Sequence, residues 1–550
     1  MASFFRDPAA QPWAHYTDFL SAKTIPQLSH SDIDRAGQDA YSRPVTEGTA
    51  TTDVAHVEAP THLVRCLRLT DATMIVIGSM VGSGIFIVSA DIARQVNSSG
   101  LLLTVWLVAG FMTVVAALYY GELAASMPHA GGQYVYIREM FGPLWGFLYG
   151  WSMLLVIQTA TIAAVAIAFA KFTGVLFPWF SSSAWILKLG TLGPFSFWFG
   201  ELGPYNIGLN TQNLLAILSI ALLTWVNLRG ITLGTLVQNL FTYTKIGVLA
   251  GVILLGVLFA NASALKANFS ALWQPFNPGL ANAWQGDWGT ALTIIGVAMV
   301  GSLFAADAWN NVTFVGGEVQ DPERNLPRAL ALGAGLVILL YVLVNLAYLS
   351  VLPLAGDPAV PDVIGRGIQF AAEDRVASAV AEAAFGPAGA AVMALAVMIS
   401  TFGCNNGLIL SGARISYAMA KDGLFFKAAA GLNAQHAPAA ALFVQGIWAS
   451  LLCLSGTYGQ LLDFLMFTVL LFYMLTIVGF LRRRMSQPNT PKRWDIPLLP
   501  LIYVALALFI EIQLLRYKPQ FTWPGLIVVL VGVPVYVAWR KTGTADADAR

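Results

Sequence analysis

Two short stretches hold residues whose types and spacing could do chemistry. One is Val81-Gly82-Ser83-Gly84-Ile85-Phe86, inside an apolar run from about Leu69 to Ile92. The other is Gly301-Ser302-Leu303-Phe304-Ala305-Ala306-Asp307-Ala308-Trp309-Asn310-Asn311. Glycine weakens a helix, and a helix interrupted at membrane depth exposes peptide N–H and C=O groups. Lipid tolerates these only where they are buried in protein or line a cavity. The N–H groups at the start of a half-helix can hold an anion, and the carbonyls at the end of another can hold a cation. Asp307 puts a carboxylate near the middle of its apolar segment, a cost of about 2.5–3.5 kcal/mol on insertion scales, so it is expected to face the bundle interior. Small residues also serve close helix packing, and Asp307, Asn310 and Asn311 also suit a polar cluster between helices. Each stretch alone leaves both readings open.

The surrounding elements must be membrane helices. The 550 residues are 57% hydrophobic and 11% charged, against about 25% charged in ordinary soluble domains. A net charge of +1 offers nothing to nucleic acid. Three cysteines, Cys66, Cys404 and Cys453, are too few for a disulfide framework. Residues 1–62 are polar, lack a signal-peptide core and read as a weakly ordered tail. Twelve apolar segments follow, over 69–95, 101–127, 143–172, 211–228, 231–259, 288–314, 327–352, 386–416, 438–455, 459–481, 497–515 and 521–540. Most suffice to cross about 30 Å of hydrocarbon. Tyr134 to Phe141 adds an amphipathic lead-in to the third. The expected fold is an all-α membrane protein of twelve transmembrane helices, its transmembrane domain spanning 63–540, with a second tail at 541–550. With the N-terminus cytoplasmic, sixteen Lys and Arg fall at inner loops and helix ends and eight at outer ones, the direction of the positive-inside rule. Both termini are then cytoplasmic, in a plasma (inner) membrane.

Placement decides between the two readings. The interruptions lie in spans one and six, each opening a five-helix unit, 1–5 and 6–10, that enters from opposite sides. Matching interruptions in oppositely oriented halves point to an inverted-repeat transporter with a midplane site. A third residue stands out. Lys245 lies about fourteen residues into span five, roughly 20 Å from its start. It is too deep to snorkel, and a lysine there is either proton-switching or part of a static ion pair. Glu122 sits at the inner end of span two and Glu511 in span eleven.

These residues resemble a known family. Gly82-Ser83-Gly84-Ile85-Phe86 is similar to the first-helix motif of the amino acid–polyamine–organocation superfamily. Tyr120-Gly121-Glu122-Leu123 with Gly131-Gly132-Gln133-Tyr134-Val135-Tyr136 is similar to its second-to-third helix connection. Phe304 to Asn310, followed by Glu318 to Ala329, resembles the sixth helix and its loop. Ser400 to Gly407, with Arg414 and Ala418 to Leu424, resembles helix eight and its exit. The resemblance covers roughly 63–540 and is nearest to L-type and prokaryotic amino acid permeases. It implies a five-plus-five inverted repeat plus two extra helices, with alternating access around broken helices 1 and 6. An amino acid's carboxylate would meet the amides near Ser83, Gly84 and Ile85. Its ammonium would meet the carbonyls of Met80, Phe304 and Asp307. Gly82, Ala305 and Ala306 complete the breaks, and Asn310 adds a polar contact. Phe304 matches the family's outer aromatic gate, and Glu122 a motif residue that supports the inner gate. Lys245 matches the place of a structural sodium ion in sodium-coupled relatives, with its ammonium against span-one and span-eight backbone. Asn405 and Asn406 are expected to make helix–helix hydrogen bonds. The usual Phe-Ala-Tyr-x-Gly-Trp pattern is altered: Ala306 replaces Tyr and Ala308 replaces Gly, which leaves substrate size open.

The expected function is sodium-independent transport of amino acids, neutral rather than cationic, by proton coupling or exchange, with no metal and no cofactor. Asp307 keeps a cationic substrate or polyamine open, and a non-transporting sensor would share these motifs. A channel would need a continuous polar pore. An intramembrane enzyme would need paired catalytic groups, which the spans lack. Eukaryotic L-type members tether a glycoprotein subunit through a cysteine in the outer loop. Here loop 174–210 has none, so no disulfide-linked subunit is expected. Arg375–Phe385 is expected to form a short helix on the outer side.

Overall fold

Spacing of apolar residues against chain punctuation sets the helix ends. The computed structural model describes residues 63–548 apart from 198–199, 203–204, 278–279, 281–282, 455–457 and 487–497; the expected tail 1–62 lies outside the described residues. Asp71 caps the first helix by accepting the Arg68 N–H at 3.0 Å. This is α1, Leu69–Met80, followed after a break by α2, Gly84–Val96. Asn97 ends α2 in the left-handed conformation, φ 51°, a common stop signal. Then come α3 (Ser99–Ser126), the expected amphipathic lead-in α4 (Gln133–Phe141), α5 (Pro143–Ser152) and α6 (Gln158–Leu176). A π-helical turn, Met153–Ile157, joins α5 to α6. Next are α7 (Thr211–Leu228), capped by Asn210 onto the Asn213 N–H at 2.7 Å, α8 (Ile231–Leu258) and α9 (Ala262–Ser270).

The second half opens with α10 (Trp288–Ala305), capped by Asp287, and the single turn α11 (Asn311–Phe314). It continues with α12 (Pro322–Val351), α13 (Val376–Phe385), α14 (Pro387–Lys421) and α15 (Ala439–Leu452). The last three helices are α16 (Tyr458–Ser486), α17 (Leu498–Tyr517) and α18 (Pro519–Asp548).

Among the described residues, eleven helices are long and apolar enough to cross a membrane. The chain is a multi-pass helical membrane protein. The ninth expected span is α15, whose 14 residues reach about 21 Å, short of about 30 Å of hydrocarbon. The sixth expected span, 288–314, differs too. Its membrane-length part stops at Ala305, and the segment beyond the break is one turn plus a 3-10 turn at Gly316–Glu318. Helix α13 stands at the expected place and packs on α2 and α8. The long loop before α7 is not irregular. Strand β1 (Trp185–Leu192) pairs antiparallel with β4 (Tyr205–Asn210), and β2 (Phe195–Phe197) with β3 (Gly200–Leu202). The all-α description therefore holds for the membrane part, not for this loop.

Packing follows a simple order. Helix α10 lies on α2, α12 on α3, α14 on α6 and α15 on α7. Spans one to four thus each touch the span five places later. Below the two breaks the chain is stitched to itself. The N–H groups of Cys66 and Leu67 donate to Glu318 O at 3.0 Å, and Gln320 N–H donates to Leu67 O at 2.8 Å. Glu318 also meets Arg414 of α14, about two turns before the end of that helix. Its Nε donates to Glu318 Oε1 at 2.9 Å, and both side chains are 1% exposed.

Removing one member of a buried pair leaves an uncompensated charge and costs about 3–5 kcal/mol, whereas an apolar pair of similar volume is often neutral. Arg414→Met should therefore lower the melting temperature sharply in detergent, and Arg414→Met with Glu318→Leu should recover most of it. Equal melting temperatures for the wild type and Arg414→Met would show that the pair is not structural.

Candidate functional site

The first break is a clean departure from helix. Val81 turns to φ −76°, ψ 86°, and α2 restarts at Gly84. At the second break Ala308 takes φ 65°, a left-handed conformation that costs about 1–2 kcal/mol for a residue with a Cβ. The two breaks touch. A Cβ built on Gly84 would lie 2.6 Å from Ala305 Cβ and 2.7 Å from its Cα. Only glycine permits α2 to start that close to the end of α10. Gly82 faces Cys404, whose Sγ would stand 3.0 Å from an added Cβ.

Neighbouring helices supply partners for the backbone at the breaks. The Tyr341 hydroxyl of α12 lies 3.0 Å from Met80 O and 3.1 Å from Ala305 O, spanning both breaks. The Tyr348 hydroxyl donates to Ile85 O at 3.2 Å. From α14, Ser400 Oγ donates to Val81 O at 3.2 Å and to Gly82 O at 3.3 Å, and Cys404 Sγ donates to Ser79 O at 3.0 Å. Lys245 of α8 is fully buried and donates from Nζ to Gly78 O at 2.5 Å, one turn before the break. Its chain also lies beside span eight, where a Cβ on Gly403 would stand 3.2 Å from Lys245 Cε. These contacts alter one expectation. Met80 O already accepts the Gly82 N–H and faces Tyr341, and Phe304 O accepts the Asp307 N–H at 3.1 Å. Two of the three carbonyls expected to meet an ammonium, those of Met80 and Phe304, thus already have a protein donor, although a carbonyl oxygen has two lone pairs.

Three small cavities surround the breaks. The first joins Ser79, Met80, Gly82, Ser83 and Gly84 to Phe304, Ala305, Asp307 and Cys404. It unites most of the residues expected at the site. A second is lined by Gln133, Tyr149, Asn310 and Asn311 together with Met153 and Ile157 of the π turn. The third is lined by Met112, Ala306, Asp307, Trp309, Tyr473 and Tyr503. Their volumes are about 20, 20 and 10 Å³. Such a space holds about one water, so a solute of several heavy atoms must open it. Ile85, Lys245 and Glu122 line none of the three. Glu122 lies half-buried near the end of α3. Asp307 faces all three cavities, and its Oδ1 accepts the Tyr473 hydroxyl at 2.6 Å.

Sequence reasoning missed Gln133 as a structural hub. It is fully buried. Its Oε1 accepts the Tyr149 hydroxyl at 3.0 Å and Asn310 Nδ2 at 2.9 Å, and its Nε2 donates to Phe472 O and Thr476 Oγ1 at 3.2 and 3.1 Å. Asn310 thus holds Gln133 as well as lining a cavity. Asn311 Nδ2 and Ser79 Oγ are buried beside cavities with no hydrogen-bond partner among the described residues. Asn406 makes the expected helix–helix bonds, to Gly234 O at 2.9 Å and from Asn227 at 2.9 Å. Asn405 makes none among the described residues.

The two breaks lie where the first-helix and sixth-helix motifs stand, and tyrosines of α12 add hydroxyl contacts to their carbonyls. A family model described as "Amino acid permease" matches residues 67–538. The chain belongs to the amino acid permease family. It is 32% identical over 487 residues to the human large neutral amino acids transporter small subunit 2, covering 88% of this chain and 82% of that one. The mouse b(0,+)-type amino acid transporter 1 is 27% identical over 498 residues, covering 89% and 91%. The human Asc-type amino acid transporter 1 is 29% identical over 482 residues, covering 86% and 83%. The family consists of transporters, not enzymes.

In this permease the three cysteines are unpaired. Cys66, just before α1, is half-buried. Burial first, then the nearby carboxylate of Glu318, pushes its thiol above the usual range, which makes it a poor nucleophile. The crossing of the breaks is the contact most open to test. Gly84→Ala forces a Cβ into Ala305 and should cost about 1–3 kcal/mol by overpacking, with loss of substrate binding. Gly247→Ala in α8 meets nothing within 4 Å and should bind as the wild type does. Equal binding by the two variants, measured by ligand-dependent thermal shift, would contradict a tight crossing.

Proposed function

We propose that this permease is a secondary active transporter of neutral L-amino acids, working by alternating access, independent of sodium, and coupled to protons or to exchange. The observation that carries the reading is the meeting of the two broken spans at Gly84 and Ala305, with a cavity beside them that reaches Ser83 and Asp307. The N-terminal turn of α2 offers amides to a carboxylate. Phe304 lines the same cavity and serves as the aromatic cover. Printed names of the relatives, among them a large neutral amino acids transporter and an Asc-type amino acid transporter, support amino acids as substrates. The pairing of spans one with six, two with seven, three with eight and four with nine supports a five-plus-five inverted repeat plus two extra helices. On this reading α15 counts as the ninth of twelve spans.

The near-closed cavities mean that binding must separate elements around the breaks. Movement of the α1–α2 and α10–α11 segments relative to α12 and α14 would open the site to one side at a time. Glu122, at the end of α3, belongs to the inner closure on this reading. The charge imbalance supports cytoplasmic termini in a plasma (inner) membrane.

Lys245 carries the sodium-independent part. Its ammonium takes a span-one carbonyl where a bound cation would otherwise be needed. In proteoliposomes, uptake of labelled leucine should be unchanged when choline replaces sodium and should rise with a pH gradient or with amino acid loaded inside. Lys245→Met removes a charge-assisted hydrogen bond, about 1.5–3 kcal/mol, and should slow uptake about ten- to hundredfold while the protein remains folded. Uptake that requires sodium, or Lys245→Met uptake equal to wild type at every pH, would overturn this assignment. Binding with no flux in either direction would identify a sensor instead.

A further inference from the structure

One side chain is common to all three cavities. Asp307 lines the cavity of the first break, the cavity of Asn310 and Asn311, and the cavity of Ala306 and Trp309. It is 9% exposed. Its carboxylate accepts the Tyr473 hydroxyl at 2.6 Å and the Ala308 N–H. The ion pairs among the described residues join Arg94, Arg138, Lys171, Arg375 and Arg414 to other carboxylates, and none includes Asp307. The titratable groups around it are Tyr149 of α5, Tyr473 of α16, Tyr503 of α17 and Cys404 of α14. All are neutral donors or acceptors, and none supplies a positive charge.

An acidic group at membrane depth is costly without a partner, and leaving a buried charge unpaired is worse than having no pair at all. Two of the break carbonyls that would receive an ammonium, those of Met80 and Phe304, already have protein donors. Ala305 O faces Tyr341, and Val81 O and Gly82 O face Ser400. The acceptor left with a full charge beside this cavity is a side chain.

We propose that the Asp307 carboxylate is the counter-ion of the substrate's α-ammonium group, so that this chain selects solutes bearing a primary ammonium by a salt bridge rather than by carbonyl dipoles alone. This rests on the reading that amino acids are the substrates. The work is divided across the contact between the breaks. Backbone N–H groups at the start of α2 take the carboxylate, and an anion on the second break takes the ammonium. Tyr473 positions that anion through its hydroxyl. Charge-assisted hydrogen bonds are about twice as strong as neutral ones, so a ligand lacking the ammonium loses the strongest contact and leaves Asp307 buried and unpaired.

The test uses the full chain in lipid nanodiscs and competition against labelled L-leucine. The competitors are leucine, its 2-hydroxy-acid analogue, which carries a hydroxyl in place of the ammonium, and lysine. The wild type should prefer leucine to the hydroxy acid by about a hundredfold. In Asp307→Asn, leucine should weaken about ten- to hundredfold while the hydroxy acid holds or improves, so that the preference collapses. Asp307→Glu should keep much of the preference, and Tyr473→Phe should keep it with a smaller loss. A leucine affinity unchanged in Asp307→Asn would assign the ammonium to the Asp307 carbonyl, which the variant retains, and would overturn the proposal. So would a loss confined to lysine, which would place a side-chain cation there. Melting temperatures on the same samples separate lost recognition from lost fold. Absence of leucine binding by the wild type would overturn the transporter reading together with this one, whereas an unchanged preference in Asp307→Asn overturns this one alone.

Discussion

The structure depends on one constraint: a peptide group at membrane depth must have a partner. An unbroken helix supplies its own. This chain breaks two helices, at Val81–Ser83 and at Ala306–Asn310, and must find partners for the backbone groups from elsewhere. The surrounding bundle is arranged to provide them. Helix α12 brings Tyr341 and Tyr348, α14 brings Ser400 and Cys404, and α8 brings Lys245. The close crossing at Gly84 and Ala305 keeps both breaks within reach of the same donors.

Charged groups in the core meet the same constraint in different ways. Arg414 and Glu318 neutralise each other beneath the breaks, and the Glu318 backbone also holds the lead-in to α1. That pair is built for permanence. Lys245 has a carbonyl rather than a carboxylate as its partner, so its positive charge is only partly compensated. Asp307 has a hydroxyl and an amide. Glu511 of α17 has no hydrogen-bond partner for either oxygen among the described residues. The order of increasing incompleteness runs from the stitched end of the molecule to its cavities and to the peripheral helix.

Much of this was legible in the sequence because it rests on local signals. Apolar runs located eleven of the expected spans, and Gly82, Gly84 and Asp307 marked the breaks. The ninth span fell short because an apolar run sets an upper limit on a helix, not its length. The part of the sixth span after the break shrank to one turn because Gly316 and Gly317 follow it closely. What escaped were long-range partners. Tyr341 reads as one aromatic among many in an apolar helix, and Gln133 as one polar residue in a glycine-rich loop. Arg414 reads as a helix-end charge until the fold brings Glu318 to it, 96 positions away in the chain. The ribbon of β1 and β4 was within reach of the sequence: Tyr205-Asn206-Ile207-Gly208-Leu209-Asn210 alternates apolar residues with polar ones or glycine, a strand signal that an outer-loop reading of this stretch leaves unused.

The Tyr341 hydroxyl has a property that distances alone do not express. It owns a single proton, yet it stands within bonding reach of two carbonyls, Met80 O and Ala305 O, on separate segments. At any instant it can serve one of them. A small rotation hands the proton from one segment to the other without breaking free of both. The two broken spans are thus joined through one hydroxyl, and because Met80 O also accepts the Gly82 N–H, a hydroxyl turned toward Ala305 O leaves both carbonyls with a donor. A ligand's own donor arriving at Ala305 O would free the hydroxyl for Met80 O and leave neither carbonyl orphaned.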